Sequence, residues 1–338
     1  MTGVLGLDVG GANTKAAWAG AGPLRTASRP FEVWRDREAL AGVLREVAAA
    51  VGDGAPAAVG LTMTAELSDA FATKREGVGF VLGAAEAAFG DAPLLALTTA
   101  GELVTAPAAR ERPLELAAAN WVASALAVAR AYDDALMIDV GSTTADVIPI
   151  STGRVAARGR TDLDRLLAGE LVYTGALRTN AAAIAPAVPV RGGSCPVAAE
   201  LFAIAADVHL VLGHLAPDAY TCPTPDGRAA TVERSRERLA RLVCADLEQL
   251  APGEVDAIAA FLHDAQVRQI KAAVRSVAAR FPGGRAGVVL LGEGAFLGRA
   301  AIDRLGIEEV EPPAELGAGG GPAAALARLV ADRLATAC

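Results

Sequence analysis

A short apolar run that ends on an aspartate and passes at once into glycine and small polar residues occurs twice in this chain. Near the N-terminus it reads LGLDVGGANTKAAW (5–18), and in the middle it reads ALMIDVGSTTADVIPI (135–150). Each predicts strand, tight turn, strand. A carboxylate at the end of a buried strand needs a partner. In the first copy Gly10, Gly11 and Ala12 allow backbone N–H groups to approach an anion, Asn13 and Thr14 add side-chain donors, Lys15 adds positive charge, and Asp8 can hold a bridging cation. The second copy offers Asp139, Gly141, Ser142, Thr143, Thr144 and Asp146 in the same order. Either turn alone reads equally well as a hairpin with an aspartate cap. Two of them, each heading its own half, predict a two-lobed anion clamp. A third wall is expected from GVVLLGEGAF (287–296), a buried strand entering Gly292, Glu293 and Gly294.

In this order the phrases DVGGANT, DVGSTTAD and LLGEGA resemble the actin-like ATPase superfamily, and more closely its hydantoinase A/5-oxoprolinase branch. Within that branch five phrases are similar to the tetrahydromethanopterin-linked C1 transfer pathway proteins and the methanofuran-biosynthesis synthases: TMTAELSDAFATKREGV (62–78), AAANWVASA (117–125), GRTDLDRLLAGELVYTGALRT (159–179), PVAAELFA (196–203) and YTCPTPDGRAAT (220–231). The resemblance spans nearly the whole chain. The D-x-G turns are shared across the superfamily and say little about activity, whereas KREGV and GELVYTG are more specific. The resemblance implies an α/β, two-lobed actin-like (ribonuclease H-like) fold with a central cleft.

Composition agrees with a two-domain protein. The 338 residues are 53% hydrophobic, enough for two cores. A net charge of −8 and the lack of a Lys/Arg-rich run argue against nucleic acid as a partner. No basic leader followed by an apolar core begins the chain, and no uninterrupted apolar stretch suits a membrane span, so a cytoplasmic protein is expected. Alanine-rich helices leave a homo-oligomer open. Cys195, Cys222, Cys244 and Cys338 form no C-x-x-C pair, so neither a zinc ribbon nor a disulfide framework is expected, and Cys244 reads as a small core residue. His209, His214 and His263 show no metal-ligand spacing and read as structural.

The expected lobes are 1–132 and 133–338. Apolar spacing predicts helices over 37–51, 79–89, 114–132, 161–170, 234–249, 254–281 and 322–334, and further strands over 57–64 and 94–98. Gly283 and Gly284 close one of these helices, and the glycine run 317–321 reads as a loop. Residues 186–196 and 220–228 read as long, functional loops. Lys74 and Arg75 either receive a diphosphate, Arg with a fork of donors and Lys with a point charge, or belong to a solvated charged loop, the commoner reading of such a triplet by itself. Asn120, expected inside a helix, either lines the cleft or faces water, and Tyr173 and Thr174 are either substrate contacts or packing residues.

The chemistry expected from the phosphate turns is Mg2+ held by Asp8 and Asp139 against a phosphate or diphosphate. For the superfamily this arrangement implies ATP, although Glu293 replaces the small residue usual in the adenosine loop and puts ATP in doubt. The closer resemblance implies an alkyl (aryl-methyl) transferase of methanofuran or methylofuran assembly. It would join a furanylmethyl diphosphate to the phenolic oxygen of a tyramine or glutamyltyramine acceptor and release diphosphate. Lys15, Lys74 and Arg75 would steady the leaving group, and Asp139, Asp146 and Glu66 are equal choices for the base. The alternatives are an ATP-dependent kinase or oxoprolinase-type hydrolase, and a non-catalytic nucleotide-binding protein.

Overall fold

The computed structural model describes residues 3–280, 287–317 and 320–337. Two compact units emerge. One comprises Met1–Ala135, Pro149–Leu167 and Glu311–Cys338, and the other Leu136–Ile148 and Ala168–Val310.

The first unit is built on a sheet of six strands: β1 (Val4–Val9), β2 (Asn13–Ala19), β3 (Arg25–Pro30), β4 (Ala58–Met63), β5 (Leu94–Leu97) and β6 (Leu103–Thr105), ordered β3-β2-β1-β4-β5-β6. β1 runs antiparallel to β2 and parallel to β4. Side chains alternate across the sheet, so Leu5, Leu7 and Val9 enter one core, where they meet Leu40 and Leu44 of α1 (Leu40–Ala49) and Val78, Val81 and Leu82 of α2 (Lys74–Phe89). Gly6 faces the other way. A Cβ there would lie 2.1 Å from the Ala323 carbonyl oxygen, and one on Gly60 would lie 2.8 Å from Leu326. These two glycines let α11 (Gly321–Ala337) lie close on the sheet and bury Ala323, Ala324 and Ala327 against Ala17 and Ala19. α3 (Ala106–Glu111), α4 (Asn120–Ala131), β9 (Arg154–Val155) and most of α5 (Asp162–Ala168) complete this unit.

The second unit's sheet is ordered β10-β8-β7-β13-β14, from β7 (Ala135–Val140), β8 (Ala145–Ser151), β10 (Leu171–Val172), β13 (Gly287–Leu291) and β14 (Glu309–Val310); β9 pairs with the far end of β8. α6 (Ala181–Ile184), the hairpin β11 (Ala187–Val190) and β12 (Gly193–Pro196), α7 (Ala205–Val211) and α8 (Val232–Arg241) gather on the first half of α9 (Pro252–Ala278) through Val255, Ile258 and Leu262. The second half of α9 packs Ile270, Val274 and Val277 on Leu136, Ile138 and Val288, beside α10 (Ala295–Ile302). Asp207 and Arg238 are fully buried at this junction, about 2.7 Å apart, and Asp207 also accepts from Tyr220 (3.2 Å) and Ser235 (2.8 Å). Arg238 donates to Asp226 at 3.0 Å as well, which ties down the loop 220–228.

Several expectations shift. A division into 1–132 and 133–338 puts the terminal helix in the second lobe, but α11 packs on β1 and β4 of the first unit because Gly6 and Gly60 leave it room. α2 begins at Lys74, since the Thr73 hydroxyl caps it by accepting from the Glu76 amide (3.2 Å), and the Glu76 carboxylate also accepts from the Ala72 amide just before it (3.0 Å). Residues 186–196 form a hairpin rather than a loop. Cys244 is exposed at φ 55°, past the end of α8, and is not a core residue. Gly283, Gly284 and Cys338, with part of the glycine run, lie outside the described residues.

Candidate active site

The two D-x-G turns have the same local construction. In the first unit the Gly10 amide donates to Asn13 O at 2.9 Å, and in the second the Gly141 amide donates to Thr144 O at 2.9 Å. Flanking segments hold each from outside: Val33 N to Gly11 O and Phe31 N to Ala12 O in one, and Leu177 N and Arg178 N to Ser142 O in the other. Gly175 lies so close to the second turn that a Cβ there would stand 2.5 Å from the Thr143 amide nitrogen.

Asp8 is buried at the C-terminal end of β1, in register with Lys15 on β2 and Thr62 on β4. Its Oδ1, with the hydroxyls of Thr14 and Thr62, has no hydrogen-bond partner. Burial raises the Asp8 pKa, and Lys15 opposes the rise. A buried carboxylate oxygen without a donor suits a hard cation, so this donor set fits Mg2+. In the second unit, Asp139 is half-buried on β7, with its Oδ1 against Gly292, whose φ of 81° brings the 292–294 turn over Val140. The Gly294 amide donates to Val140 O at 2.8 Å, and Glu293 sits between the two glycines. Asp146 is buried on β8 opposite Leu171. Tyr173 is largely exposed, whereas Thr174 is buried and accepts from Gln266 Nε2 at 2.7 Å.

The remaining candidate base is in the first unit. Glu66 follows β4 in a single 3-10 turn, two residues after Thr64, whose amide bonds to Val9 O beside the first phosphate turn. It is 1% exposed and neither carboxylate oxygen has a hydrogen-bond partner. Desolvation raises its pKa to about 7; Lys74 and the amides near Glu66 and Ala118 pull it down, and Asp162 pushes it up. Gly77 makes the burial possible, because a Cβ there would meet the Glu66 Cα at 2.6 Å. Lys74 bonds to Asp162 at 3.0 Å, and Asp162 also accepts from the buried Arg165 at 2.9 Å. The Arg165 guanidinium stacks 4.7 Å from the Trp121 ring, and the Trp121 Nε1 has no acceptor.

Residues 62–78, 117–125 and 159–167 therefore meet around one carboxylate of the first unit. The expected diphosphate clamp of Lys74 and Arg75 does not form as a pair. Successive helical positions diverge by about 100°, so Lys74 turns to Asp162 and Arg75 is exposed. Asn120 is the first residue of α4 rather than an interior one, and its Oδ1 accepts from the Trp121 amide at 2.9 Å. Ala118, at φ 52°, stops the helix from starting earlier. Asp162 and Arg165 were not among the site residues expected from the sequence, and their i, i+3 spacing was the available signal.

A model of the hydantoinase/oxoprolinase family matches residues 57–333. The chain is 35% identical, over 91% of its length and 91% of the relative's, to (4-{4-[2-(gamma-L-glutamylamino)ethyl]phenoxymethyl}furan-2-yl)methanamine synthase of Methanocaldococcus jannaschii. A protein of the same name from Methanococcus vannielii is 34% identical over 50% of this chain and 75% of its own. Among solved structures, a ROK family glucokinase from Streptomyces griseus in complex with glucose and AMPPNP aligns with a TM-score of 0.50 at 15% identity, covering 97% of this chain and 98% of its own. A nucleotide-free acetone carboxylase structure aligns with a TM-score of 0.52 at 11% identity, covering 90% and 67%. At such identities the likeness establishes the α/β actin-like ATPase fold expected from the sequence. Among the described residues no helix is long and apolar enough to cross a membrane.

Proposed function

The chain belongs to the hydantoinase/oxoprolinase family and groups there with the methanogen methanamine synthases, and from that membership we propose that it forms the same aryl ether. The substrates are an aminomethyl-furanylmethyl diphosphate and the phenol of tyramine or γ-glutamyltyramine. A bond forms between the phenolic oxygen and the furan-bound methylene, the methylene–oxygen bond to diphosphate breaks, and the phenolic proton passes to the protein. The observation that carries the reading is Glu66: buried and raised to about 7, it is a carboxylate able to take that proton near neutral pH.

The other roles follow from position. The turn at Gly10 to Thr14, with Lys15, receives the diphosphate next to Thr64, so the leaving group and Glu66 flank the end of β4. Asp8 would hold Mg2+, which supplies charge stabilisation for the departing diphosphate. Asp162 holds Lys74 beside Glu66 and tunes its proton affinity.

Incubation with Mg2+, the furanylmethyl diphosphate and tyramine or γ-glutamyltyramine should give the ether and one diphosphate per turnover, read by mass spectrometry and a phosphate assay. Hydrolysis of ATP with no ether under any of these substrate pairs would defeat the proposal.

A further inference from the structure

Far apart in sequence and unremarkable in spacing, His209, His214 and His263 converge in the second unit, with one nitrogen from each within 4.8 Å of the others. This overturns the expectation of three separate structural histidines. His209 lies on α7 with no exposure, His263 on α9 is half-buried, and His214 follows Gly213 (φ 72°) and is exposed. The His214 amide donates to His209 O at 2.9 Å, which fixes the loop under its own ring. Phe296 closes one side, its ring 4.8 Å from that of His209 and 5.3 Å from that of His214.

The hydrogen-bond network sets the tautomer of the buried ring. Gln266 Nε2 donates to Thr174 Oγ1 at 2.7 Å and to Gly175 O at 3.0 Å. A backbone carbonyl only accepts, so the amide of Gln266 has one permitted orientation, and its Oε1 faces His209 Nε2 at 3.0 Å. His209 Nε2 therefore carries the proton, and Nδ1 presents a lone pair. That Nδ1 is buried and has no partner, and the same holds for His263 Nδ1. An imidazole placed only for packing would leave these atoms desolvated without return. A second ring nitrogen bonded to a fixed acceptor is also what orients histidine ligands of metals.

We propose that His209, His214 and His263 bind a divalent transition metal of the zinc, cobalt or nickel type through three imidazole nitrogens. Three neutral nitrogen ligands suit these ions better than Mg2+, which takes oxygen. Tetrahedral zinc with Zn–N near 2.0–2.1 Å places ligand nitrogens about 3.3 Å apart, so the group must contract, and the exposed His214 has the freedom to move. With three protein ligands, a tetrahedral ion would leave a fourth position for water or an anion. Through Gln266 the site connects to Gly175, which abuts Ser142 and Thr143 of the second D-x-G turn.

Cobalt(II) titration of the full-length protein after EDTA treatment and dialysis tests this without reference to ether formation. One equivalent per chain should bind with the intense visible absorption of a tetrahedral nitrogen site and be displaced by zinc. Octahedral oxygen sites absorb far more weakly, so cobalt at Asp8 is distinguishable. His214→Ala, on the surface, and His263→Ala should each abolish the band with an unchanged circular dichroism spectrum. Gln266→Leu should weaken affinity about 10- to 100-fold. Failure to bind an equivalent, or an equivalent retained with its spectrum in His214→Ala, would overturn the proposal; His214→Ala suffices if His263→Ala does not fold.

Discussion

Replacing Glu66 by Gln removes the charge and keeps the shape. Its consequences for stability and catalysis can be derived from one quantity. Glu66 binds its proton more tightly in the folded protein, at about 7, than at the ordinary 4.5. Protonated Glu66 contributes fully to stability below about 4.5; as pH rises toward 7 the folded state must give up a proton that the unfolded chain has already released, and the contribution is lost. The difference corresponds to roughly 3 kcal/mol above pH 7. Glu66→Gln carries no such penalty. It should therefore match the parent near pH 4.5 and exceed it increasingly up to a plateau above 7, by roughly 4 °C in Tm for a chain of this length unfolding in one step. Ether formation should fall about 10²- to 10⁴-fold, the range for loss of a general base. The parent's ascending kcat/KM limb with a midpoint near 7 should vanish with it. Paired calorimetry and rate profiles across pH check both. A Tm difference that does not change with pH, or a variant within a few-fold of the parent rate, would refute the reasoning.

The neighbours of Glu66 give predictions of opposite sign. Lys74 lowers its pKa and Asp162 raises it, so Lys74→Met should move the ascending limb of kcat/KM to higher pH and Asp162→Asn to lower pH. Gly77→Ala should cost about 1–3 kcal/mol in chemical denaturation through overpacking, because its Cβ has no space against the Glu66 backbone. Arg238→Met should destabilise by about 3–5 kcal/mol by leaving Asp207 buried without its cation. Adding Asp207→Asn should restore part of that loss, which a double-mutant cycle in denaturant measures.

The two turns were legible in the sequence because each is local. An apolar run, an aspartate and a glycine fix a strand end and the turn beyond it, and the Gly10–Asn13 and Gly141–Thr144 bonds form within that span. The start of α2 was equally local: Thr73 is an N-cap whose hydroxyl accepts from the Glu76 amide three residues on, and the weak apolar spacing over 74–78 hid it. The assignment of α11 to the first unit had a subtler trace, since Gly6 and Gly60 interrupt otherwise apolar strands where a helix must come close.

Glu66 and the histidines belong to another category, in which the chemistry is produced by the fold. A glutamate in the phrase TAELSD carries no sign that its pKa lies near 7; the shift arises because Gly77 lets α2 press on its backbone and because the 117–125 segment, turned by Ala118 at φ 52°, completes its enclosure. His263 is a full α7-to-α9 separation from His209 along the chain, so no spacing rule pairs them, yet Gln266, one turn along α9, fixes the proton on His209 Nε2, and the fold brings the two rings together. In both places the decisive atom is a buried oxygen or nitrogen whose missing partner becomes visible only after packing is known. A motif scan ranks Asp139, Asp146 and Glu66 alike as acids near a turn. Burial of Glu66 to 1% exposure raises its pKa, which is why the pH dependence of Glu66→Gln, rather than its activity alone, tests the assignment.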